Sequence, residues 1–266
     1  MLIVGELFNT SRKIILENVE KRNAEYIRDI AKRQAEAGAD YLDVNCGDML
    51  DKEVDAMKWL IENIQAVVDV PLCIDTPNPA AMEVGLSLAK NGQPLVNSIT
   101  GEEERYNAIL PLVIKYKAKI VALPIDEQGI PQTAEGRLRV TRQLVKKLTE
   151  AGMPADDIYM DLLVQPIATG DRAGLELLHA IRLVKQEFPE VHLISGLSNI
   201  SYGLPNRRIL NRIFMLQTLT MGMDAYILDP LDKAMMGYLY AAQALLARDP
   251  FCGKYLAAHR KGLYQS

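Results

Sequence analysis

The chain has 266 residues, 49% of them hydrophobic and 24% charged, with a net charge of −4. That is the balance of a folded globular chain long enough for a single barrel. It excludes the basic field that a nucleic-acid binder needs, and no apolar run reaches the ~20 residues of a membrane span.

The opening "MLIVGELFNT" has no basic stretch ahead of its apolar run and no small-residue cleavage site, so it predicts a strand rather than a signal peptide. From that strand (2–7), short apolar runs recur at 41–46, 71–76, 94–99, 119–125, 158–163, 191–198 and 225–230. Stretches with helical period lie between them. In "DKEVDAMKWLIENIQAVVD", Val54, Met57, Leu60, Ile61, Ile64, Val67 and Val68 share one helix face. Thr100 and Glu103 fit a capping box, and Gly38, Gly92, Gly152 and Gly222 fall where helices should end. The stretch 126–136 reads as a longer loop, and the tail after 249 as a last helix with a frayed end. Three widely spaced cysteines, Cys46, Cys73 and Cys252, suggest a reducing cytoplasm without a disulfide framework.

Eight strands alternating with eight helices predict a (β/α)₈ barrel, an α/β fold, as one domain over 1–266. Near-continuous apolar strands suit a parallel sheet covered by helices. A doubly wound sheet is the rival, but the first strand–helix turn lacks G-x-G-x-x-G.

Barrel chemistry sits at the C-terminal strand ends. Those ends read Glu6 and Asn9, Asp43 and Asn45, Asp75, Asn97, Asp126, Asp161, Ser198 and Asn199, and Asp229. Any one Asp or Asn could simply cap the next helix. A whole rim of them, several pointing inward by strand parity, predicts a polar pocket. No His-x-His strand is present, and no strand carries a lysine past its first residue, for amidohydrolase or Schiff-base chemistry. His179, His192 and His259 lie away from the mouth, and Cys46 and Cys73 lack a third soft ligand for zinc. What remains is a set of acceptors suited to a ligand rich in N–H donors, such as a 2-amino-4-oxopyrimidine, or to Mg²⁺.

"VGELFN", "LDVNCG", "CIDT", "VNSIT", "MDLLVQP" and "GLSNISYGLPNRR" follow in order at the ends of strands one to four, six and seven. In this the chain resembles the pterin-binding methyltransferases: the methyltetrahydrofolate:corrinoid/iron–sulfur protein methyltransferases and the folate domain of cobalamin-dependent methionine synthase. Dihydropteroate synthases share the barrel, but they carry a lysine-bearing glycine loop after strand six and Ser-Arg-Lys near strand seven, which this chain does not.

The resemblance implies that Asp75, Asn97 and Asp161 hold the pterin by its nitrogen edge and amino group. Asn199 would reach N5, where the methyl is carried, so Asn199 and Asp75 are the residues expected to serve the chemistry. Gly196 and Ser198 would flank the ring, and Glu6 and Arg207 match further polar positions. Leu7 departs from the family's usual G-E-R, which bears on the contacts around Glu6. The implied reaction moves a methyl group between 5-methyltetrahydrofolate and a corrinoid, with no bound metal. No D-x-H-x-x-G cobalamin motif is present, so the corrinoid is expected on a separate protein that docks transiently. A homodimer is expected on the resemblance alone. Pathway and direction stay open between acetyl-CoA synthesis and a methyl ether or methylamine demethylation. Alternatives are a Mg²⁺-dependent lyase or isomerase using Asp43, Asp75 and Asp161, a dihydropteroate-synthase-like enzyme, and a non-catalytic folate carrier.

Overall fold

Parallel strands covered on both faces need apolar side chains toward the helices and a filled interior toward the axis. A computed structural model describes residues 1–264 and has both layers. Its strands are β1 (Leu2–Asn9), β2 (Tyr41–Asn45), β3 (Leu72–Asp75), β4 (Leu95–Thr100), β5 (Lys119–Leu123), β6 (Ile158–Met160), β7 (His192–Leu193) and β8 (Ala225–Leu228). They pair in parallel in the order 7-6-5-4-3-2-1-8. A lone bridge between Gly196 and Ile227, with the Ile227 amide donating to the Ser195 carbonyl at 3.0 Å, closes β7 onto β8.

The helices are α1 (Lys13–Glu20), α2 (Ala24–Glu36), α3 (Glu53–Gln65), α4 (Pro79–Leu88), α5 (Glu103–Tyr116), α6 (Ala134–Glu150), α7 (Ala173–Glu187), α8 (Arg207–Met221), α9 (Lys233–Leu245) and α10 (Gly253–Arg260). Helices α2 to α9 are the eight expected. α1 is an extra helix in the first strand–helix connection, and α10 is the expected tail helix; residues 265–266 lie outside the described residues.

Val4, Tyr41, Cys73, Leu95, Val121, Tyr159, Ile194 and Ala225 fill the barrel axis. The larger core lies between strands and helices and contains Cys46. Cys46 and Cys73 therefore sit in different layers and are not neighbours there.

The N-terminal end of the barrel is shut. Tyr159 stacks on His192 with ring centroids 4.7 Å apart, and the Tyr41 hydroxyl donates to the Gln93 carbonyl at 3.0 Å. His192 bridges Asp224 (3.1 Å) and Asp156 (3.0 Å). Its pKa is raised by the hydrogen bond to Asp224, against the effect of burial. A ligand for the axis must enter at the other end.

Several expected boundaries moved. β6 and β7 stop at Met160 and Leu193, well short of 163 and 198, because the chain leaves the ladder there to form the rim. Val54 is 37% exposed and lies off the buried face of α3. Thr100 caps no helix: it is the last residue of β4, its hydroxyl donates to Glu102, and Glu102 itself stands at the N-cap of α5. The loop expected over 126–136 ends at Thr133, whose side chain caps α6. Gly38 (φ +98°) and Gly222 (φ +128°) do end helices in a conformation L side chains rarely adopt.

Candidate functional site

Strand register builds the first half of the site. Asn9 pairs with Asn45, Asn45 with Asp75, and Asp75 with Asn97, so four polar residues stand abreast on β1 to β4. The Asn45 carboxamide donates to Asp75 Oδ2 at 2.9 Å, and its own Oδ1 accepts from the Gly47 amide at 3.0 Å. Burial raises the Asp75 pKa to about 6, with Asn45 and Arg105 opposing it. One pleat deeper, Asp43 is buried and Oδ1 has no partner. Burial first, then the Asp75 charge, push its carboxyl well above the usual range.

The second half faces this row from β6 and β7. Asp161 follows directly on β6, and its Oδ1 accepts from the Leu163 amide at 2.9 Å. Burial lifts its carboxyl to about 6, against that bond and one from Gly196. Beyond Gly196 the chain winds into a 3₁₀ turn over Leu197–Ser201. The Asn199 carboxamide N–H donates to the Val164 carbonyl at 2.7 Å, which anchors the amide nitrogen and leaves its oxygen as the acceptor. Arg207 is exposed and braces the turn: Nη2 donates to the Ser198 carbonyl at 2.6 Å and Nε to Ser201 Oγ at 3.1 Å.

Glu6 reaches the rim through a register shift in β1 between Gly5 and Phe8. Buried Gln34 holds that irregularity by accepting from the Leu7 amide at 3.2 Å. A Cβ on Gly5 would lie 2.5 Å from Gln34 Oε1, so a side chain there would displace Gln34 from the Leu7 amide. Glu6 lines a small pocket of about 100 Å³ with Ser198, Asn211, Asp229 and Asp232. Burial raises its pKa, Arg12 lowers it and Asp229 raises it.

Not every rim residue is free for a ligand. Asn9, Asp126 and Asp229 accept from the amide two residues on, the local turn that makes Asp and Asn common at strand ends. Asp126 also pairs with Arg139 at 3.0 Å. None of these three caps the next helix: the N-caps there are Arg12, Thr133 and Asp232. They close local turns, as Asn45 and Asp161 also do. Asp75 and Asn97 end β3 and β4, while Asp161 stands on the facing side beside Gly196, which bonds to it, with Ser198 and Asn199 following on β7's extension. Among the described residues, no group of three or more His, Cys, Asp or Glu is placed to hold a metal ion, and no helix is long and apolar enough to cross a membrane.

Sequence reasoning missed the residues that pin the rim from helices and loops. Arg105, in the first turn of α5, donates to the carbonyls of Thr76, Pro77 and Ser98 and so ties the ends of β3 and β4 together. Buried Glu53 accepts from the Thr76 hydroxyl and from Asn78. "GEEER" holds the only sequence hint of Arg105, a cation among carboxylates.

A family model described as pterin binding enzyme matches residues 5–229. The chain belongs to the pterin-binding enzymes. It is 36% identical over 264 residues to the methylcorrinoid:tetrahydrofolate methyltransferase of Eubacterium limosum, covering 98% of this chain and 97% of that one. Methionine synthase of Mycobacterium tuberculosis is 32% identical over 241 residues, 85% of this pterin-binding enzyme but 20% of the synthase. In fold it is similar to dihydropteroate synthase from Xanthomonas albilineans, with a TM-score of 0.71 at 17% identity over 92% of this chain and 94% of that one.

Proposed function

We propose that this pterin-binding enzyme moves a methyl group between N5 of tetrahydrofolate and the cobalt of a corrinoid held by a separate protein. The observation that carries the reading is the two-sided mouth: a carboxylate-and-carboxamide row on β2 to β4 faces Asp161 and Asn199 across the axis. The relative from Eubacterium limosum, matched over nearly its whole length, supports the reaction class, and its name writes the methylcorrinoid as donor.

In the proposed pose, Asp75, Asn97 and Asp161 take the pterin's N–H edge, two carboxylates accepting from its ring N–H and exocyclic amine. Gly196 and Ser198 pack on the ring, and Arg207 keeps their turn in place. Asn199 presents its amide oxygen to N5. In the donor direction named above, the N5 lone pair forms the new C–N bond, the Co–C pair stays on cobalt, and the proton leaves N5. In the reverse direction cobalt attacks the methyl group, the C–N bond breaks and N5 takes up a proton. Positive charge builds on N5 either way, and a fixed amide dipole stabilises it. A large partner must reach the same open mouth and leave again, which suits a weak, transient contact. A homodimer belongs to the same proposal and rests on the resemblance.

The Mg²⁺ reading needs Asp43, Asp75 and Asp161 to converge, which no cluster among the described residues does. The test is direct. The purified chain, given 5-methyltetrahydrofolate and reduced cobalamin, should convert the absorbance of the reduced cobalt to that of methylcobalamin without added Mg²⁺. Tetrahydrofolate binding with no such conversion would leave only a folate carrier.

The raised carboxyls set the pH dependence of binding. Asp75 and Asp161 at about 6 accept hydrogen bonds as carboxylates above that value and carry protons below it. Tetrahydrofolate affinity should therefore fall by roughly tenfold or more from pH 7 to pH 5. Calorimetry at the two pH values measures it. Equal dissociation constants would remove both carboxylates from the ligand edge.

A further inference from the structure

Arg12 stands at the N-cap of α1 and caps nothing. That position favours Asn, Asp, Ser or Thr, whose short side chains reach the free amides of the first turn. The arginine instead turns back across the rim, and Nη2 lies 2.5 Å from Glu6 Oε1. Five residues earlier Leu7 packs against the core beneath the helices. The cation beside Glu6 thus comes from the loop.

The surroundings of Glu6 make that cation matter. Asp229 from the end of β8 acts on it as a like charge, and Glu6 in turn raises the buried Asp43 carboxyl on β2. Asp232, in the same small pocket, is already bound to Arg212 at 2.8 Å. Among the described residues Arg12 is the one cation in contact with Glu6. Without it, burial and the Asp229 charge raise the Glu6 carboxyl further, and its side chain loses the one cation that holds it.

We propose that Arg12 is a positioning residue for methyl transfer, fixing the side-chain direction and the negative charge of Glu6 beside the Ser198–Asn199 turn. The inference rests on the proposed function. A Glu6 carboxylate held there adds to the field that favours positive charge on N5, and it does so only while it is ionised.

The experiment separates the two claims. The Glu6 carboxyl is followed by ¹³C NMR across pH in the wild type and in Arg12→Gln, a readout that needs no activity. Its titration midpoint should move up in the variant, and Arg12→Lys should restore most of the shift. Methyl transfer to free reduced cobalamin is then measured in the same proteins. Arg12→Gln should lower the rate at neutral pH by roughly five- to tenfold, with the pH–rate profile displaced upward. In a Glu6→Gln background the same change should cost less than twofold, because coupled residues lose their interaction only once. An unmoved Glu6 titration overturns the inference whether or not the wild type transfers methyl groups. So does an equal rate loss in both backgrounds. A wild type that binds tetrahydrofolate but transfers nothing overturns the proposed function instead.

Discussion

Asn199→Ala should slow methyl transfer by about 10²–10³-fold while weakening folate binding by roughly tenfold or less. In the ground state the amide oxygen makes one ordinary hydrogen bond, worth about 0.5–1.5 kcal/mol net. As the C–N bond forms or breaks, positive charge gathers on N5 and that contact strengthens. The amide does not have to be oriented at that moment, because its nitrogen is already tied to the Val164 carbonyl at 2.7 Å. The turn that carries it is braced by Arg207 and by the Ser201 hydroxyl on Asn211. The fold should survive, since Asn199 is exposed. Single-turnover absorbance of the cobalt, beside a folate titration, gives both numbers. Equal losses in rate and affinity would reduce Asn199 to a binding contact.

Asp161→Asn should weaken tetrahydrofolate binding by about 1.5–3 kcal/mol, the range for a hydrogen bond to a charged group, or roughly ten- to 150-fold. The substitution keeps the shape and one acceptor oxygen, so the bond from the Leu163 amide can persist. What it loses is the charge, and it sets an amide donor opposite a donor-rich ligand edge. Because burial already makes the Asp161 charge costly, the variant should be no less stable than the wild type without ligand. A dissociation constant unchanged by calorimetry would take Asp161 out of the pterin contacts.

The barrel and its polar rim were legible because both follow from short-range rules. Strand runs between helical periods give the count of eight, and alternation along "YLDVN" or "CID" sends Asp43, Asn45 and Asp75 to the axis. The side-by-side row of Asn9, Asn45, Asp75 and Asn97 was not legible. Register between strands separated by a helix depends on how the helices pack, and a one-residue slip would have scattered the row. The early ends of β6 and β7 were hidden for a related reason: "DLLV" and "ISGLS" are apolar enough to be strand, yet their backbone is needed at the rim. Arg12 and Arg105 escaped because a long side chain from a loop or a first helical turn reaches further than strand parity can track. Helix α1 escaped because "KIILENVE" is eight residues without a usual cap.

The two sides of the mouth differ in mechanical character. β2, β3 and β4 are held by continuous ladders, and Arg105 ties the tips of β3 and β4. β7 has two paired residues, and its far edge meets β8 through a single bridge. The mouth is thus a vice with one fixed jaw, on β2 to β4, and one sprung jaw, on β7 and its extension. Local opening follows the weaker ladder, so the rim can give way along the β7–β8 seam while the row on β2 to β4 keeps its spacing.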